Sequence, residues 1–180
     1  MGKIFRNKIL VGITGGIGSG KSEVCRMLAK SGIKVIYADF MAKELYKKDK
    51  KLAAAIVKAF GRDILNYQGV ISLTKLREIV FKNKVNFRKI NNIVHPAVIK
   101  QLMNHIKQLK QKIILIESAL VFDTSFHNYL DYVIMVYSNK KNRLNRIVNR
   151  DGAKKSEVEK IMSYQLDERI KIEKGNNWSD

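Results

Sequence analysis

A chain of 180 residues amounts to about one domain and is long enough to bury a core without disulfide staples. Its make-up, 46% hydrophobic and 28% charged with 11 Gly and 1 Pro, excludes collagen-like, low-complexity and wholly disordered material. The net charge of +19, from 35 Lys and Arg against 16 Asp and Glu, is a field that attracts nucleic acid, membrane surfaces or small polyanions.

In chain order, Lys8 to Ile13 reads as a buried strand, followed by a glycine-rich loop and a helix from Ser22 to Ser31 that Gly32 stops. The apolar run Ile33 to Tyr37 follows directly, so the first two strands are expected to lie parallel in a right-handed βαβ unit. From Phe40 to Gln111 the pattern turns helical: Leu52 to Phe60, a turn at Tyr67-Gln68-Gly69, Leu73 to Phe81, Phe87 to Val94, and a further helix opening at Pro96. Two more apolar runs, Ile113 to Ile116 and Tyr132 to Val136, resume the sheet, and the remainder from Asn139 is charged and helical. The expectation is an α/β, P-loop NTPase-type three-layer fold in one domain over residues 1–180, with a parallel sheet of about five strands. Within it the nucleotide-binding core would span about 8–39 and 112–138, a helical insertion about 40–111, and a lid about 139–162.

Gly15-Gly16-Ile17-Gly18-Ser19-Gly20-Lys21-Ser22 satisfies G-x-x-x-x-G-K-[ST], and it lies between a strand and a helix, as phosphate binding requires. Glycines let successive backbone N–H groups turn inward around phosphate oxygens, and the helix that follows points its positive end at the same place. Lys21 supplies a full charge at the β- and γ-phosphates, while the Ser22 hydroxyl is a ligand for the Mg²⁺ that bridges them. Cys25, inside that helix, reads as a small buried apolar residue.

Phosphoryl transfer also needs a group that takes the proton of the attacking hydroxyl. Asp39, just beyond the second strand, is the candidate; its plain alternative is to cap the next helix at Phe40 or Met41. Glu117 ends the third strand, where it either approaches the metal or serves as an ordinary ion-pair partner. Arg143, Arg146 and Arg150 share one helix face. Arg146 and Arg150 are assigned to a lid that neutralises charge as the γ-phosphoryl loosens, whereas Arg143 is left at the surface. Asp151-Gly152 breaks that helix, and Ser156-Glu157-Val158-Glu159 reads as the cap and acidic first turn of the next one.

Taken together, these residues resemble the dephospho-coenzyme A kinase family over nearly the whole chain. Thr14 to Ser22 is similar to that family's opening segment, Ala38-Asp39 to the end of its D-A-D element, and Phe60-Gly61, Leu76, Val80-Phe81 and His95-Pro96 fall at its intervals. Arg146 to Gly152 resembles its R-x-x-x-R-[DN]-G lid, and Gln165 matches a Gln that follows. The resemblance implies transfer of the ATP γ-phosphate to the ribose 3′-hydroxyl of dephospho-coenzyme A with Mg²⁺, the last step of coenzyme A synthesis. It also implies that the helical insertion binds the acceptor, that Asp39 is the base, and that Gly16, Ile17, Gly18, Ser19, Gly20, Lys21, Ser22, Glu23 and Arg150 hold ATP. His95 is carried over either as an acceptor contact or as a structural residue.

This chain departs from the family in several places. Tyr37 replaces the first Asp of D-A-D, Glu23 stands where Thr is usual, and Leu73 stands where Arg is common. Glu117-Ser118-Ala119-Leu120-Val121-Phe122-Asp123 answers to D-x-P-L-L-F-E, and the family continues into another strand beyond Trp178-Ser179-Asp180. Another small-molecule P-loop kinase, acting on a nucleotide or a shikimate-like alcohol, is the alternative. The charge motivates a second one, a nucleic-acid-binding ATPase.

The 26 Lys exceed the 9 Arg and accompany 22 Ile and 14 Asn, a joint enrichment read as A/T-rich coding. The lysines stand singly or in pairs without aromatic interleaving, so no specific nucleic acid is expected. The longest apolar runs, Lys112 to Glu117 and Tyr132 to Tyr137, fall well short of the roughly 18 to 20 residues that cross a bilayer. Arg6 stands where a myristoylation signal wants Ser or Thr, and the lone Cys25 points to a reducing cytoplasm. Oligomeric state is not assigned.

Overall fold

The computed structural model describes residues 5, 7–122, 125–167, 169–171 and 173. Arg6, Asp123 and Trp178-Ser179-Asp180, all singled out in the sequence, lie outside the described residues. The elements are β1 (Ile9–Thr14), α1 (Lys21–Lys30), β2 (Lys34–Tyr37), α2 (Ala38–Lys48), α3 (Lys50–Phe60), α4 (Leu73–Val80), α5 (Lys84–Gln108), β3 (Ile113–Glu117), β4 (Tyr132–Met135), α6 (Lys140–Asp151) and α7 (Lys155–Tyr164). They divide into a sheet unit, residues 1–37 with 109–180, and a helical unit, residues 38–108.

In the sheet unit the four strands lie in the order β2-β3-β1-β4 and every pairing is parallel. The central strands β1 and β3 are buried along nearly their whole length, which is why ILVGIT and IILIE are almost continuously apolar, while the edge strands are more exposed and β4 alternates. Register pairs Ile13 with Glu117 and Thr14 with Met135, so the loops after β1, β3 and β4 leave from one edge of the sheet. Asp131 sets the start of β4: its Oδ2 accepts from the Leu10 N–H at 2.8 Å and its own N–H donates to the Leu10 carbonyl. Cys25 of α1 packs with Val11, Ile13 and Leu115, joining this helix to the sheet. Four strands are found among the described residues, against the expectation of about five.

The helical unit is organised around α5, against which α2, α3 and α4 pack. Asp49 caps α3 by accepting from the N–H groups of Lys51 and Leu52, and Ser72 caps α4 through the Lys75 N–H. Between them Asn66 Oδ1 accepts from the N–H groups of Gln68 and Val70, forming the turn expected at Tyr67-Gln68-Gly69.

Two local expectations and one alternative are corrected. Two helices meeting at Pro96 were expected, yet α5 runs unbroken through it. Pro96 forfeits one helical hydrogen bond, but Ile90, Val94, Val98, Leu102 and Ile106, four residues apart and all buried, keep one apolar stripe continuous across it. Asp39 does not cap α2, because that helix begins at Ala38 and already includes Asp39 in its first turn. Likewise α7 begins at Lys155 with Lys154 at its cap position, so Ser156 lies inside the helix. The break after Arg150 falls as expected, with α6 ending at Gly152 in a left-handed conformation.

Leu102 is fully buried in that stripe. Leu102→Ala is expected to lower the unfolding free energy by about 2–5 kcal/mol, measured by urea denaturation.

Candidate active site

The residues from Gly15 to Glu23 form one continuous turn from β1 into α1. Ser19 donates its N–H to the Gly16 carbonyl at 3.1 Å, and the N–H groups of Glu23 and Val24 return to the Gly20 carbonyl, which starts the helix. Backbone shape here demands glycine. At Gly15 (φ +150) a Cβ would lie 2.2 Å from the Val136 carbonyl, and at Gly18 (φ +78) it would lie 2.7 Å from the Arg143 carbonyl. The loop is therefore closely enclosed by the chain after β4 and by α6.

Lys21 is buried and its Nζ donates to the Gly16 carbonyl at 3.3 Å, so its ammonium is turned into the loop. Ser22 is exposed at the start of α1. Glu23 is exposed and forms an ion pair with Arg26, which offsets its charge. Thr14 Oγ1 and Ser19 Oγ are buried and make no hydrogen bond, leaving two hydroxyls with unused capacity where the strand meets the loop.

Glu117 is buried at the end of β3. Burial pushes the Cys25 thiol up to about 11; the negative charge of Glu117 adds to this and the positive charge of Lys21 opposes it. One small side chain under the loop thus feels both the loop's cation and the carboxylate of the neighbouring strand.

From α6, Arg146 Nη1 donates to the carbonyls of Gly18 (3.3 Å) and Ser19 (3.2 Å), so its guanidinium lies directly on the loop. Arg150 instead makes two bonds to its neighbour Asp151, Nε to Oδ1 at 2.7 Å and Nη2 to Oδ2 at 2.8 Å, and this pairing raises its pKa. Arg143, expected at the surface, is buried at 8% exposure. The correction follows from the approach of α6 to the loop, where the Arg143 carbonyl faces Gly18.

Asp39 and His95 belong to the helical unit. Asp39 is exposed in the first turn of α2, two residues beyond the end of β2. Tyr46, seven residues on and so on the same face, has its hydroxyl pushed up to about 12, first by burial and then by the negative charge of Asp39. His95 is half-buried within α5, next to Pro96.

One contact lay beyond any local pattern: Gln165, just past α7, accepts from the Ile17 N–H at 3.0 Å. A single amide 148 positions away leaves no periodic or motif signal, and in the sequence only the family resemblance marks it.

A strand, a glycine loop with an inward lysine and a helix, overlaid by an arginine helix, is an arrangement built for the phosphates of a nucleotide. The family model described as dephospho-CoA kinase matches residues 9–180. The chain belongs to the dephospho-CoA kinase family, and it is an ATP-dependent kinase. A dephospho-CoA kinase of Fusobacterium nucleatum is 40% identical over 96% of this chain and 92% of its own length. Among solved structures, TT1252 from Thermus thermophilus superimposes with a TM-score of 0.80 at 25% identity, over 94% of this chain and 86% of that one. A dephospho-CoA kinase from Campylobacter jejuni gives 0.58 at 25% identity, over 96% and 86%. Among the described residues no helix is long and apolar enough to cross a membrane.

Gly18→Ala places a methyl against the Arg143 carbonyl and against Ile147 Cδ1, at 2.7 and 2.9 Å. It is expected to weaken ATP binding at least about tenfold by separating α6 from the loop, measured by calorimetric titration.

Proposed function

We propose that this kinase transfers the γ-phosphoryl group of ATP to the ribose 3′-hydroxyl of dephospho-coenzyme A, giving coenzyme A and ADP. The observation that carries this reading is the glycine loop with Lys21 turned into it, in a chain matched by the dephospho-CoA kinase model from residue 9 to residue 180. In this reading the sheet residues, about 8–39 and 112–138, hold the nucleotide; about 40–111 holds the acceptor; and about 139–162 closes as the lid.

Loop N–H groups and Lys21 grip the β- and γ-phosphates, so their charge is compensated before reaction begins. Asp39 accepts the proton of the 3′-hydroxyl as its oxygen bonds to the γ-phosphorus and the bond to the β-phosphate oxygen breaks. Arg146 moves from the loop carbonyls to charge developing on the transferred group, and Arg150 exchanges Asp151 for the nucleotide. His95 lies on the acceptor side.

The donor set suits Mg²⁺, which prefers hydroxyl, phosphate and water oxygens to an all-protein cage. The exposed Ser22 hydroxyl would hold it, with the buried Glu117 reached through water, and unbonded hydroxyls at Thr14 and Ser19 add polar capacity beside the loop. When bound, the ion would neutralise charge between the β- and γ-phosphates. Cytoplasmic location is supported by a single, unpaired and buried cysteine.

With labelled ATP and a panel of acceptors, dephospho-coenzyme A is expected to be turned over while nucleoside monophosphates and shikimate are not. Robust phosphorylation of a monophosphate alone would overturn the reading. Asp39→Asn should leave ATP affinity within about twofold but lower kcat at least about a hundredfold, measured by steady-state kinetics alongside nucleotide titration.

A further inference from the structure

The tip of the phosphate loop is held on several sides by residues far along the chain. The side chain of Ile17 packs against the cluster of Leu144, Ile147 and Val158 from α6 and α7. Arg146 takes the carbonyls of Gly18 and Ser19, and the Ile17 N–H goes to Gln165 Oε1. Beyond Gln165, the fully buried Lys171 donates from Nζ to the Ala119 carbonyl at 3.4 Å, two residues after Glu117. The segment after α7 therefore meets both the loop tip and the turn that follows β3.

We infer that Gln165 is a positioning residue for nucleotide binding: its amide oxygen fixes the Ile17 peptide and so holds the loop tip in register with α6 and α7. The inference rests on the ATP-binding reading of this loop.

The chemistry favours an amide at this place. A loop N–H with no acceptor is free to turn, and each orientation lost on binding phosphate is an entropic cost that preorganisation removes. A carboxylate would accept the same bond but bring a negative charge toward the triphosphate, and a hydroxyl is too short to reach as far. Gln165 itself is held at its backbone, where its N–H donates to the Met162 carbonyl at the end of α7. The bond therefore ties the position of α7 to the orientation of one loop peptide.

Gln165→Met keeps the length and packing of the side chain and removes the acceptor. Direct titration with ATP should show affinity reduced about fivefold, the worth of one neutral hydrogen bond, while the KM for the acceptor stays within about twofold of wild type. Gln165→Glu restores the acceptor but adds charge, so its melting temperature without nucleotide should stay near wild type while its ATP affinity falls more than that of the Met variant. Wild-type ATP affinity in Gln165→Met would overturn the inference, as would a loss confined to melting temperature or an equal loss in acceptor KM. Because the titration contains no acceptor, wild-type failure to phosphorylate dephospho-coenzyme A would count against the proposed reaction alone.

Discussion

The parallel pairing of β1 with both β3 and β4 is the constraint on which the site depends. It is a pattern of parallel backbone pairing between two buried apolar strands and an edge strand. The register sets Glu117 opposite Ile13 and Met135 opposite Thr14. From those endpoints the glycine loop, the carboxylate of β3 and the segment leading into α6 emerge side by side.

Much of this was legible in the sequence because local chemistry and global fold agree there. ILVGIT and IILIE are too apolar for any place but the centre of a sheet, and the G-x-x-x-x-G-K-S run has few uses outside phosphate binding. The Asp-Gly pair after Arg150 also ended its helix as its composition said. Local signals failed where a distant partner decided. Pro96 looks like a helix start, and only the buried stripe from Ile90 to Ile106 explains why the helix continues through it. Arg143 looks like a surface residue until α6 is seen against Gly18. Asp39 looks like a cap because Asp is a good one, yet the chain enters α2 from β2 without an intervening turn.

The arginine helix illustrates how charge and packing share the work. Of its three arginines one is buried, one lies on the loop and one is paired with the adjacent aspartate. Helical spacings of three and four on one face thus conceal three environments. A run of basic residues is therefore best read one side chain at a time, with the acceptor of each identified.

The two bonds from Arg146 to the loop have an effect beyond attraction. A trans peptide unit is a rigid plate whose oxygen and amide hydrogen point in opposite directions, so a cation that anchors the Ser19 oxygen also aims the hydrogen of Gly20 away from itself. The arginine thus fixes the orientation of whole peptide units of the loop by holding only their oxygens.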